Sequence, residues 1–166
     1  MEEYLSKIKT QSEMKEAVEK AKREGKKIIF TNGCFDILHQ GHVRYLSEAK
    51  ELGDYLIVGL NSDRSVRAIK GNNRPFMTEE VRAELLAALC FVDGVVIFNE
   101  KDPLAIITYL QPHILVKGAD WDENDIVGAE FIKKMGGEVK RIPVVKNIST
   151  SSIIHRIING NSTQNQ

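Results

Sequence analysis

The chain has 166 residues, room for one domain with a proper core and too few for two ordinary ones. Hydrophobic residues make up 42% and charged residues 28%, a balance that excludes a disordered chain. Lys plus Arg and Asp plus Glu each number 23, and the resulting net charge of zero argues against nucleic acid or an anionic membrane surface as a partner.

Helical and strand patterns alternate along the chain. Thr10 followed by Glu13 reads as a capping box that opens a helix over 10–25, with Met14, Ala17, Val18 and Ala21 on its apolar stripe. A short buried strand is predicted over 27–31, then a helix over 42–51 that closes at Gly53. The run 55–60 is a second apolar strand. Thr78 is expected to cap a helix over 78–90, and 95–98 is the third strand. Asp102 before Pro103 marks the start of a helix over 103–110; Gln111 and Pro112 end it and lead into a strand over 113–117. A helix over 125–135 stops at Gly136 and Gly137, a fifth strand covers 138–142, and the last helix covers 150–158.

Each strand is a continuous apolar run, the pattern of a strand buried on both faces. The expected fold is α/β: a Rossmann-like, doubly wound, mainly parallel five-stranded sheet with helices on both faces. The expected organisation is an N-terminal helical segment over 1–25 packed on the domain, one domain over 26–158, and a polar tail over 159–166. The apolar runs are all too short to span a bilayer, and the opening residues do not match a secretory signal. Cys34 and Cys90 form neither a disulfide framework nor a zinc spacing, so a reducing cytoplasm is the expected setting. In such a sheet ligands bind beyond the carboxyl ends of the strands. The loops to search are therefore those after Thr31, Leu60, Lys117 and Ile142.

The first of these loops carries His39-x-Gly41-His42 at the start of a helix. Neither the dinucleotide fingerprint G-x-G-x-x-G nor the phosphate loop G-x-x-x-x-G-K-[ST] occurs in the chain. Two imidazoles three residues apart at a helix start can aim at one point. Gly41 lets a ligand approach the backbone, and the free N–H groups of the first turn favour an anion. The alternatives are one packed and one solvated histidine, or a metal site, which has no third ligand at a familiar spacing. Ser149, Thr150, Ser151 and Ser152 open the last helix. One hydroxyl suffices for a cap; four in succession make a phosphate cradle.

These residues resemble the nucleotidylyltransferase superfamily that shares H-x-G-H with class I aminoacyl-tRNA synthetases. Residues 31–36 are similar to its opening G-x-F-D motif and 148–153 to its terminal I-S-[ST]-[ST]-x-I motif. Within it, the likeness is greatest to the adenylyltransferase domain of bacterial ADP-heptose synthases, on 31–42, 59–63, Lys70-Gly71, Arg74-Pro75 and 115–121. The resemblance covers about 26–158. It implies transfer of AMP from ATP to D-glycero-β-D-manno-heptose 1-phosphate, giving ADP-heptose and pyrophosphate, a step toward the lipopolysaccharide core.

Carried over onto this chain, the resemblance makes His39 and His42 donors to the transferring phosphate, with Lys70 reaching the phosphates across the site. It gives nucleotide contacts to Thr31, Asn32, Gly33, Phe35, Gly41, Lys117, Gly118, Asp120, Ser149, Thr150, Ser151 and Ser152. Asp36, Asp63, Arg74, Arg82 and Trp121 fall on the substrate side. Local alternatives stay open: Asp36 as a magnesium contact or a local cap, Asp63 as a turn cap, Arg82 paired with Glu79 or another acid, Trp121 as a hydrophobic lid. Mg²⁺ is expected mainly on the nucleotide phosphates, with no protein ligand assigned. The resemblance also implies a homo-oligomer, a dimer favoured, and leaves open a separate heptose kinase in the pathway. One position departs: related cytidylyltransferases have an arginine four residues before the isoleucine of the terminal motif, where this chain has Val144. The competing readings are a cytidylyltransferase acting on glycerol 3-phosphate or a similar phosphate, and a non-catalytic nucleotide-binding module.

Overall fold

The structure, a computed structural model, describes residues 3–145 and 148–160. Six parallel strands form one sheet: β1 (Ile8–Lys9), β2 (Ile28–Gly33), β3 (Tyr55–Asn61), β4 (Gly94–Phe98), β5 (Ile114–Gly118) and β6 (Glu138–Ile142). Their spatial order is β1-β4-β3-β2-β5-β6. Among the described residues seven α-helices connect or flank them: α1 (Gln11–Arg23), α2 (Gln40–Lys50), α3 (Asp63–Lys70), α4 (Glu79–Ala87), α5 (Leu104–Leu110), α6 (Ala129–Lys134) and α7 (Thr150–Asn159). None of the described helices is long and apolar enough to cross a membrane.

The doubly wound expectation holds, and the reason is visible strand by strand. Successive side chains of a strand point to opposite faces. Ile28 and Phe30 join the core layer formed with Met14 and Val18 of α1 and with Ile106 and Ile107 of α5. Ile29 between them joins the opposite layer, with Leu46 of α2 and Leu86 of α4. Ile57 of β3 and Leu115 of β5 repeat the first pattern; Leu56, Val58, Ile114 and Val116 repeat the second. Both faces are covered, so both parities must be apolar, and each such fully buried side chain contributes about 1.5–3 kcal/mol.

The strand count is six rather than five. The additional strand, β1, lies in the segment expected to be helical; its two residues pair with Val95 and Val96 at the sheet edge. Two residues carry no periodicity to read. Helix α3 was also absent from the sequence pattern, because only Ser65 and Val66 of its eight residues are buried. Helix α6 begins at Ala129 instead of 125, after a 3-10 turn over Glu123–Asp125 and a left-handed Gly128 with φ +88°. Thr78 occupies the N-cap position of α4 but makes no capping hydrogen bond there. Of the expected tail, Asn159 ends α7, Gly160 is its C-cap, and the remainder lies outside the described residues.

From β2 the chain winds to β3 and β4 on one side, and β5 and β6 lie on the other. The strand order therefore reverses between β2 and β5, and the loops after Gly33 and Gly118 part there to leave a crevice.

Candidate active site

Beyond Gly33 the chain turns through Phe35, held at φ +44°, and enters α2 with His39 as the N-cap. The imidazole does the work of a capping oxygen: Nδ1 of His39 accepts the N–H of Gly41 at 3.1 Å. Its neutral tautomer therefore carries the proton on Nε2. The ring of His42 stacks on that of His39, centroids 3.8 Å apart, and meets Phe35 at 5.2 Å. Burial, then the neighbouring His39 and Lys70, depress the pKa of His42 to about 4, and burial lowers that of His39 as well. Two neutral N–H donors result. Gly41 is required sterically, because a Cβ there would lie 2.9 Å from Cε1 of His39 and 3.4 Å from Ile148.

Ile148 leads into the second helix start. Ser149 is the N-cap of α7; its hydroxyl accepts the N–H of Ser152, and the Ser152 hydroxyl accepts the N–H of Ser149. This reciprocal box consumes two of the four hydroxyls. Thr150 and Ser151 remain, and with Ser149 they line the same cleft as His39 and His42.

That cleft, about 390 Å³, sits at the β2/β5 crevice. It collects most of the expected residues: Asn32, Gly33, Phe35, Asp36, His39, Gly41, His42, Lys70, Arg74, Lys117, Gly118, Asp120, Trp121, Ser149, Thr150 and Ser151. Among the described residues three cations and two carboxylates line it, a net positive wall suited to phosphate. Lys117 donates to the Asn32 carbonyl at 3.3 Å and lies 5.6 Å from the Trp121 ring centroid. Burial pulls its pKa down to about 8. The side-chain oxygen of Asn32 and Nδ1 of His42 are buried without a hydrogen-bond partner among the described residues. Trp121 is 48% exposed, so it stands at the rim rather than closing over the site.

Four expected residues are not brought to the cleft as free groups, and a fifth lines it with its charge already engaged. Thr31 is buried, with its hydroxyl hydrogen-bonded to Tyr45 at 2.8 Å. Ser152 is spent in the capping box. Arg82 is fully buried and donates to the carbonyls of Cys34 (2.6 Å), Asn61 (2.9 Å) and Met77 (3.0 Å) and to Asp63 (2.7 Å). Its acidic partner is Asp63 and not Glu79, so both Arg82 and Asp63 are structural and leave the substrate side. Asp36 lines the cleft, but its carboxylate is fully engaged by Arg74 and two backbone N–H groups. Burial alone would raise its pKa; those donors outweigh it and bring the pKa below the ordinary value.

Sequence reasoning passed over Cys34, Tyr45, Val145 and Ile148, which also line the cleft, as does Val144. Tyr45 was legible three residues beyond His42 on the same helix, and Ile148 opens the terminal motif. Another cavity, about 530 Å³, lies at the amino end of the sheet, with Lys22, Lys26, Lys27 and His113 in its wall. Its lysines are paired with Glu19, Glu24 and Glu138, so they offer little unspent charge.

The profile of cytidylyltransferase-like proteins matches residues 30–156. The chain belongs to the cytidylyltransferase-like family. It is 48% identical over 156 residues to a protein of Syntrophotalea carbinolica named bifunctional protein HldE, covering 94% of this chain and 32% of that one. A protein of the same name from Campylobacter fetus is 56% identical over 135 residues, 81% of this chain and 29% of the relative. The chain thus spans about a third of the length of these curated relatives. Among solved structures, a lipopolysaccharide core biosynthesis protein from Thermoplasma volcanium matches with a TM-score of 0.61 and 33% identity, over 75% of this chain and all of the other. The match to the family takes in both helix starts, from β2 through most of α7.

Proposed function

We propose that this chain transfers AMP from ATP to D-glycero-β-D-manno-heptose 1-phosphate, releasing pyrophosphate and forming ADP-heptose for the lipopolysaccharide core. The observation that carries the reading is the convergence of two helix N-termini, with His39, His42, Thr150 and Ser151, on one cleft that also holds Arg74, Lys70 and Lys117. Family membership supports nucleotidyl transfer. The heptose acceptor rests on the resemblance to ADP-heptose synthase domains and on the relatives' names, HldE and lipopolysaccharide core biosynthesis protein.

In this reading a phosphate oxygen of the sugar phosphate bonds to the α-phosphorus of ATP while the bond to the pyrophosphate oxygen breaks. The attacking oxygen is already anionic, so no protein base is needed. Catalysis is alignment and charge stabilisation. His39 and His42 donate to the α-phosphate as its charge grows, and each such donor is worth about 3 kcal/mol. Thr150, Ser151 and the first turn of α7 hold the departing pyrophosphate. Lys70 adds charge at the phosphates, and Arg74 takes the phosphate of the acceptor. Gly118 and Asp120 lie where a ribose would rest against the end of β5.

Magnesium enters as part of the nucleotide substrate. The described residues contain no cluster of three His, Cys, Asp or Glu side chains suited to a metal, and the Asp36 carboxylate is already engaged by Arg74 and two backbone N–H groups. The ion would be held by the phosphates. The same proposal has the chain acting in the cytoplasm as a homodimer, with a heptose kinase, on this chain or another, supplying the phosphorylated sugar; light scattering of the purified chain reads the oligomer.

The test is pyrophosphate release with Mg²⁺, crossing ATP and CTP with heptose 1-phosphate and glycerol 3-phosphate. Turnover is expected with ATP and heptose 1-phosphate. Preference for CTP and glycerol 3-phosphate would establish the cytidylyltransferase alternative, and nucleotide binding with no turnover would establish a non-catalytic module. Val144, 51% exposed at the cleft in place of the cytidylyltransferase arginine, favours the first outcome.

A further inference from the structure

Asp36 is 2% exposed yet belongs to the cleft wall. One carboxylate oxygen accepts the N–H groups of Phe76 (2.8 Å) and Met77 (3.0 Å); the other accepts Nε of Arg74 (2.7 Å) and Phe76 N–H (3.0 Å). Three N–H donors thus grip the carboxylate, the Phe76 N–H being shared between its two oxygens. Asp36 is already committed to Arg74 and to the backbone of the facing loop.

Arg74 shows the complementary state. Its side chain is 15% exposed and its Nε is spent, whereas its two η nitrogens have no protein partner among the described residues. A guanidinium gripped at Nε presents those nitrogens as a rigid fork, the geometry that takes a phosphate through two parallel bonds. The loop carrying it is pinned twice more: Asp36 holds its backbone at Phe76 and Met77, and the Met77 carbonyl accepts from the buried Arg82.

We infer that Asp36 is a positioning residue, whose carboxylate holds Arg74 at Nε and turns the free η fork toward the phosphate of the acceptor. The inference rests on the proposed nucleotidyl transfer to a phosphorylated acceptor. It makes the H-x-G-H loop and the 71–77 loop one unit, so that the group opposite the histidines is aimed from the histidine side of the cleft.

The experiment is a double-mutant cycle of Asp36→Asn, Arg74→Ala and the double variant, with thermal melts confirming that each folds. In Asp36→Asn the new amide keeps one oxygen for the Phe76 and Met77 N–H groups but turns an N–H donor toward Arg74. Each single change is expected to raise the acceptor KM about 10-fold or more. The KM for ATP and the Mg²⁺ concentration for half-maximal rate should stay within about 2-fold, and the double variant should be no worse than Arg74→Ala alone. Effects that multiply in the double variant would overturn the inference, because Asp36 would then act apart from Arg74. A raised Mg²⁺ requirement in Asp36→Asn would make it a metal ligand, and a lowered melting temperature with unchanged KM would leave it merely structural; either overturns the inference. Should Asp36→Asn fail to fold, Asp36→Glu keeps the charge but displaces it; it is expected to raise the acceptor KM with the ATP KM within about 2-fold, and an unchanged acceptor KM would overturn the inference.

Trp121, the single tryptophan, lines the cleft and reports binding without turnover. Titrating inorganic phosphate by its fluorescence through the same cycle separates two failures. Coupled phosphate binding in a chain that does not turn over sugar phosphate sinks the proposed function and keeps the positioning role. Turnover with uncoupled effects does the reverse.

Discussion

The imidazoles of His39 and His42 lie face to face, their centroids 3.8 Å apart and their planes 23° from parallel. Two protonated rings at that separation would repel, and burial already disfavours the charge on each. The pair is thus built to stay neutral and to donate from N–H groups, with the Gly41 N–H fixing the His39 tautomer.

This arrangement makes the fold sensitive to mild acid. His42 titrates at about 4 in the folded chain, below the ordinary value of 6.5. Between those values the unfolded chain binds a proton that the folded chain refuses, so stability falls as pH drops through the window and the loss ends below about 4. The contribution is at most about 1.4 kcal/mol per pH unit, less because the ring keeps some solvent contact. Urea denaturation at a series of pH values should show a shallower loss for His42→Asn than for the parent. Parallel slopes would mean that His42 charges freely in the folded state.

His39 carries two duties that substitution can separate. Asparagine can serve as an N-cap, so His39→Asn should hold the stability of α2 to within about 0.5 kcal/mol, whereas His39→Ala loses about 1 kcal/mol. Both should lose about 10²-fold in kcat, because alanine has no donor and the shorter asparagine, with its oxygen capping Gly41, does not carry its N–H out to the position of Nε2. Turnover that follows stability instead, intact in the asparagine variant, would make His39 only a cap.

The sequence exposed the parts of the site that depend on local order. H-x-G-H and the hydroxyl run are contiguous, each sits at a helix start, and the strand pattern put both at one sheet edge. The pairings between distant segments were hidden. Nothing near Arg82 in the chain signals that its guanidinium closes over the Cys34, Asn61 and Met77 carbonyls, 48, 21 and 5 residues away. The full engagement of Asp36 was equally hidden, since its partners lie 38 to 41 residues on. Residue type marked a charge near the site in both cases; only the fold shows whether that charge is free. Strand β1 was missed for a different reason, because a two-residue edge strand is recognised by its partner β4 alone.

The Arg82 junction should therefore dominate stability without touching chemistry directly. Arg82→Ala strands three carbonyls and leaves Asp63 without its ion-pair partner, and removal of one member of a buried pair costs about 3–5 kcal/mol. Asp63 is 22% exposed on its side chain, so Asp63→Asn keeps solvent access and the backbone bonds of Arg82 and should cost about 1–2 kcal/mol. Urea denaturation of both variants checks the order. Equal small losses would show that the junction is replaced by water.

The start of α7 separates capping from binding within four residues. Ser149 and Ser152 close the capping box, so Ser149→Ala should cost about 1 kcal/mol of stability. Thr150 and Ser151 take no part in that box and line the cleft. A Thr150→Ala, Ser151→Ala double variant should melt within a few degrees of the parent yet bind ATP at least about 10-fold more weakly, the equivalent of two lost hydrogen bonds. AMP lacks the β- and γ-phosphates and should bind both proteins alike. Titrating ATP and AMP against parent and variant by Trp121 fluorescence decides the point. Equal losses for the two nucleotides would move the hydroxyls away from the pyrophosphate, and no loss for either would leave this helix start without a role in binding.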